Sequence, residues 1–340
     1  MLNIIDKIPD GLLECDARDL YKLLPGPTLM HLQGKREQPL FVSVLLHGDE
    51  DTGWLAIREL LKTYQDRELP RSLSVFIGNV RAARFVERFT DGQPDYNRIW
   101  EDTREARDLP ERKMMREVVA SMKARNVFAS IDIHNNTGVN PYYACVRTLQ
   151  PSHLHLATLF SRTVVYFTTP AGVQTAPFAL LCPSVTVECG QSGQPHGVEH
   201  AREYVEAALH LSGFPHHDVA TQDIDLFHTV AIAKVPGEVS IGFEEGDCDI
   251  RFQEDLDHLN FRELPAGTTL GRVRQGSHAY IDVFDDSGNP AKEKYFVIEE
   301  GELRTRRTVM PSMLTVSTTA IRKDCLCYLM ERYPLHQHRT

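Results

Sequence analysis

Five short runs of aliphatic and β-branched residues, spaced by stretches of helical periodicity, constrain the first two hundred residues more than any other feature. They are Leu40 to Leu46, Leu73 to Ile77, Val127 to Ile133, Val164 to Phe167 and Val185 to Val187. Each is too short for a buried helix and too continuously apolar for a strand with one wet face. Such runs read as strands covered on both sides. Between and after them apolar residues recur at helical spacing, through Trp54, Leu55, Ile57, Leu60 and Leu61, through Met114 to Met122 behind Pro110, and at about 152–161 and 197–212. Alternating strands and helices predict an α/β fold, a mixed and mostly parallel sheet flanked by helices. Open sheets of this kind gather ligands just past the C-terminal ends of their strands.

The pattern changes near Pro215-His216-His217-Asp218. Short alternating segments punctuated by Gly and Pro follow, such as Thr229 to Lys234, Thr268 to Val273 and Tyr295 to Ile298. The expected division is a catalytic α/β domain over 1–219 and a smaller β-rich C-terminal domain over 220–340.

Charge and composition narrow the function classes. A formal net charge of -10 argues against a nucleic-acid partner, which needs clustered Lys and Arg. It leaves room for a small anionic substrate, because a site can be locally basic in an acidic protein. No apolar stretch approaches the roughly 18 residues of a membrane helix, and the N-terminus, MLNIIDKIPDGLLECDARD, does not read as a secretory signal. The seven cysteines are scattered without a CxxC pair, which suggests neither a zinc ribbon nor a disulfide framework. The cytoplasm is the expected location, and a homo-oligomer is compatible with the sequence.

Two strand ends carry candidate metal ligands. A catalytic zinc takes three protein ligands and keeps one open position. His47 and Glu50 stand three apart after the first run, with Gly48 between them where the backbone must bend. His134 closes the third run in Ser-Ile-Asp-Ile-His, and parallel strands would bring it beside the first pair. A second His-Gly-x-Glu, His196 to Glu199 with His200 after it, follows a flexible loop and opens a helix. There Glu199 reads as a first-turn acid, and no partner ligand is implied.

A hydrolytic site also needs a proton carrier. Glu188 ends the last of the five runs, where a carboxylate near a metal suits general base and then general acid duty; an ordinary strand-end Glu is the competing reading. The long segment Asn79-Val80-Arg81-Ala82-Ala83-Arg84, with Arg88-Phe89 and Asp95-Tyr96-Asn97-Arg98, is too arginine-rich for a mere connector. Arginine suits a forked grip on a carboxylate or support of an oxyanion.

Four segments together resemble the aspartoacylase and succinylglutamate desuccinylase family, a branch of the zinc carboxypeptidase-like hydrolases. They are HGDE at 47–50, NVRA with RF and DYNR across 79–98, DIH at 132–134 and VECGQSGQPHG at 187–197. The resemblance spans roughly residues 40–200 and implies one zinc per chain held by His47, Glu50 and His134, with Glu188 as the base. It implies that Arg88 polarises the scissile carbonyl, with Arg81 and Arg84 as rivals, and that Asn97 with Arg98 holds a substrate carboxylate. Asp132 also matches, either supporting a ligand or simply closing a strand. The expected activity is cleavage of the amide bond of an N-acyl amino acid or similar small carboxylate. A carboxypeptidase for short peptides, an esterase and a non-catalytic binding protein are the alternatives. Residues 221–340 and the run Asn135-Asn136-Thr137-Gly138 depart from the family pattern, which leaves substrate identity open.

Overall fold

The computed structural model describes residues 1–103 and 108–335. The strands of its first two-thirds are β1 (Asn3–Ile5), β2 (Thr28–Leu32), β3 (Leu40–Val44), β4 (Leu73–Ile77), β5 (Ala129–Asn136), β6 (Tyr143–Val146), β7 (Thr163–Tyr166), β8 (Ser184–Gln191) and β9 (Asp225–Lys234). Among the described residues they form one 12-stranded sheet in the order β1-β2-β4-β3-β5-β8-β6-β7-β9, continued by Cys327–Arg332 and Met310–Ser312, with Asp282–Asp285 also pairing β9. The neighbours β4, β3, β5 and β8 run parallel, and β6 enters antiparallel against β8. The expected mixed, mostly parallel sheet is therefore what the chain forms.

Helices cover both faces. They are α1 (Thr52–Thr63), α2 (Val80–Ala83), α3 (Pro110–Ala124), α4 (Pro151–Phe160), α5 (Thr175–Phe178) and α6 (Pro195–His210). Alternation along β3 sends Leu40, Val42 and Val44 into a core shared with α1 and α6, and Phe41 into a second core with α3 and α5. There Phe41 stacks on Phe178 at 4.5 Å, and Trp100 meets Phe76 edge-on at 5.7 Å. Burial on both sides is the reason the strand reads as a continuous apolar run.

Residues beyond 220 are β-rich and serve two sheets. β9 and the strands at 282–285, 310–312 and 327–332 extend the large sheet, whereas Ile241–Gly242, Ile250–Phe252, Thr269–Val273, Phe296–Glu299 and Glu302–Thr305 form a separate five-stranded one. Ile250, Phe252, Leu256 and Leu303 pack beneath it in a core of their own, joined by Ala231 and Ala233 of β9. Among the described residues no helix is long and apolar enough to cross a membrane.

Candidate active site

Because β3, β5 and β8 are adjacent and parallel, their C-terminal ends lie side by side. His47 and Glu50 follow β3, and His134 sits on β5 directly opposite Glu188 on β8. The turn after β3 is tight. Leu45 adopts φ 55°, and a Cβ on Gly48 would fall 2.2 Å from the Ala83 nitrogen at the end of α2. Only glycine lets that backbone pass.

Glu50 lies between the two imidazoles. Its Oε1 is 2.7 Å from His47 Nδ1, its Oε2 is 2.7 Å from His134 Nδ1, and the Asn135 amide donates to Oε2 at 3.1 Å. One ligand atom from each of His47, Glu50 and His134 falls within 4.8 Å of the others. On its outer side each ring meets a second carboxylate, Asp95 at 3.0 Å from His47 Nε2 and Asp132 at 2.9 Å from His134 Nε2. Burial and Arg88 pull the His47 ring down, but the carboxylates of Glu50 and Asp95 hold it above the ordinary imidazole value. His134 stands well above that value because Asp132 and Glu50 outweigh its burial. Burial likewise opposes ionisation of Glu50, and the two rings hold it well below the usual carboxylate range.

This donor set fits a divalent metal. Two imidazole nitrogens and a carboxylate suit zinc, and a dication held by them would relieve the need for protons on the inner ring nitrogens. Asp95 and Asp132 are placed to accept from Nε2, which would leave Nδ1 of each ring to face inward. Asp132, fully buried, also accepts from Ser43 Oγ at 2.7 Å.

Glu188 is buried beside this cluster, and its Oε2 accepts from Asn136 Nδ2 at 2.9 Å. Burial pushes its carboxyl up to about 8. Arg88 points into the same pocket. Its Nε and Nη2 bind Asp95 Oδ2 at 3.2 and 3.1 Å, and its Nη1 lies 3.7 Å from Glu50 Oε1. Asn97 and Arg98 line the pocket as well. The Asn97 amide nitrogen is 3.4 Å from His134 Nε2, and its Oδ1 accepts from the Gln174 backbone at 3.2 Å. Arg98 donates to the Asn97 carbonyl and, through Nη2, to Asp324 Oδ1, both at 2.9 Å.

Arg81 and Arg84 stay outside. Both are exposed, and Arg84 stacks over Tyr21 at 4.3 Å. The second His-Gly-x-Glu contributes no side chain to the cluster. His196 is exposed, His200 Nε2 lies 2.9 Å from the Phe160 carbonyl, and Glu199 pairs with Arg202.

Asp95 and Asp324 are among the site residues to which the sequence alone assigns no role. Asp95 was visible only as the first letter of DYNR, and nothing local distinguished it from a loop acid. Asp324 lies far along the chain, in the part without a recognisable pattern. Its approach depends on the pairing of Cys327–Arg332 with β9.

Comparisons with known proteins bear on the family and the fold. Residues 38–211 match the succinylglutamate desuccinylase/aspartoacylase catalytic domain. No curated protein matches the chain. Among solved structures, it is similar to a succinylglutamate desuccinylase/aspartoacylase from Rhodobacter sphaeroides at 14% identity and TM-score 0.59, over 90% of this chain and 89% of that one. Murine aminoacylase 3 is similar at 15% and 0.53, over 88% and 96% of the two chains. The ectoine utilization protein of Ruegeria pomeroyi is similar at 17% and 0.57, over 88% and 87%. At these identities the likeness to the solved structures is one of fold, and the family match spans just over half of the chain. The chain belongs to the succinylglutamate desuccinylase/aspartoacylase family of hydrolases.

Proposed function

We propose that the protein is a zinc-dependent amidohydrolase that removes the acyl group from an N-acyl amino acid or a similar small carboxylate. The convergence of His47, Glu50 and His134 beside a buried Glu188 carries this reading. Zinc held by those three residues would supply Lewis acidity, acidifying water and polarising an acyl oxygen.

The chain's own residues account for the rest of the chemistry. Asn136 holds Glu188 Oε2, which leaves Oε1 to take the proton of the attacking water and deliver it to the departing amine. Burial raises the Glu188 carboxyl, and a dication held beside it would draw it back down, toward the range where one group can both take and return a proton. Arg88, braced by Asp95 through two N–H groups, presents Nη1 toward the metal ligands, where charge develops on the acyl oxygen. Asn97 and the unused donors of Arg98 orient the substrate carboxylate. In this assignment the domain over 1–219 carries the chemistry, and Thr229, Ser312, Met313, Asp324 and Tyr328 from the later part of the chain close the pocket. The cytoplasm remains the proposed location.

The test is to incubate zinc-loaded protein with a panel of N-acyl amino acids, short peptides and esters. Release of free amine from the N-acyl amino acids supports the reading. Exclusive cleavage of peptides or esters, or no turnover at all, overturns it.

A further inference from the structure

Asp324 belongs to none of the four segments that define the family resemblance, yet it lines the pocket with a carboxylate that is largely shielded from water. Its Oδ1 accepts from Arg98 Nη2 at 2.9 Å, and its Oδ2 lies 3.5 Å from Arg88 Nη2. Among the described residues that line this pocket, those are the two guanidiniums a substrate anion can meet. Asp95 already takes the other edge of Arg88. Two guanidiniums therefore face two carboxylates, and their charges cancel before any substrate enters.

The arrangement is built in. The Asp324 backbone N–H donates to the Ala320 carbonyl at the end of the helix Thr318–Lys323. Two residues later the Leu326 N–H donates to the Ala233 carbonyl, and Cys327 pairs with Ala233 of β9. With the chain pinned on both sides, the carboxylate is a fixed wall and not a swinging lid. The wall continues through Val165, Phe167, Val173 and Met313, with the neutral hydroxyls of Thr169, Thr229 and Ser312 beside them but no further guanidinium or ammonium among the described residues that line it. Away from water, a carboxylate without a counter-ion is strongly disfavoured.

We propose that Asp324 is a specificity-determining residue that reserves this pocket for substrates with one carboxylate and an uncharged acyl group, and rejects those with a second carboxylate. The substrate class rests on the hydrolase reading above, but the preference itself is a property of binding. One carboxylate can still use the free N–H groups of Arg98. A second meets Asp324 or a wall that carries no counter-ion for it.

The experiment compares N-butanoyl and N-succinyl forms of the same amino acids, which differ chiefly by a terminal methyl or carboxylate, and measures binding of butanoate and succinate by calorimetry. It uses zinc-loaded wild type, Asp324→Asn and Asp324→Ser, with the exposed Asp247→Asn as a charge control. Wild type should favour the monoanion by at least about tenfold in affinity and in kcat/KM, mainly through KM. Both Asp324 variants should shrink that preference by about tenfold, and Asp247→Asn should leave it unchanged. Equal or tighter binding of succinate by wild type overturns the proposal, even if neither variant folds. So does a preference held within about twofold in a folded Asp324 variant. If no amide is cleaved, the hydrolase reading fails while the binding ratio still decides the role of Asp324.

Discussion

Replacing Asp132 by Asn keeps the side chain's volume and removes one negative charge from behind His134. In the native protein Asp132 Oδ2 faces His134 Nε2 at 2.9 Å, and Oδ1 accepts from Ser43 at 2.7 Å, both contacts buried. An amide can still accept from the ring through Oδ1, with its NH2 turned toward Ser43. The hydrogen bond to the ring then passes from charge-assisted to neutral, a loss of about 1–2 kcal/mol. The serine hydroxyl, facing a donor, adds roughly another 0–1 kcal/mol. At about 1.4 kcal/mol per tenfold, zinc affinity should fall on the order of 10- to 100-fold. Competition against a chelator of known affinity measures the change, and thermal unfolding of the metal-free forms separates it from a loss of fold. A folded variant binding zinc within about twofold of wild type would refute the argument that this carboxylate sets the ligand's orientation and basicity.

Glu188→Gln retains shape but removes the proton acceptor, so zinc content should persist while kcat falls by about 10²–10⁴; near-normal turnover means another group is the base. Gly48→Ala drives a Cβ to within 2.2 Å of the Ala83 nitrogen, which should destabilise the protein by about 2–3 kcal/mol and lower its metal content. An unchanged melting temperature counts against that close approach. Acid should weaken the fold through His31 and His153, whose rings burial holds down at about 4, with Arg125 adding to the effect at His31. Between the unfolded value of about 6.5 and the folded value the unfolded chain binds protons the native one does not. Stability therefore falls as pH drops through that window, by at most about 3 kcal/mol per ring. Urea midpoints across it should fall less steeply for His153→Leu than for wild type, and parallel curves refute the assignment.

The legible parts of the molecule were those written in local pattern. β4 matches the expected span, and β3 and β5 lie within two or three residues of it at each end, because burial on both faces leaves an uninterrupted apolar run. The clustering of His47, Glu50 and His134 was readable because each is adjacent to such a run. β2 and β6 were not read as strands. Thr28–Leu32 follows Pro25-Gly26-Pro27, and Tyr143–Val146 has only four residues, too few to show a period. Their place as antiparallel members of a mostly parallel sheet is decided by tertiary pairing. Asp324 was illegible for the same reason at longer range. No spacing rule links it to Arg88 or Arg98, and it meets them only because Cys327–Arg332 docks on β9.

The shared sheet has a further consequence for how the chain tolerates truncation. β7 is paired along one side by Asp225 to His228 of β9, so a chain ending near residue 220 would leave its backbone N–H and C=O groups bare. Val164 and Val165 would stand along that new edge. Such an edge accepts any extended segment that reaches it, including another copy of itself. β9 thus guards against self-association as well as carrying Thr229 of the pocket wall. Damage to Cys327–Arg332 would strike specificity and solubility together, through one set of hydrogen bonds.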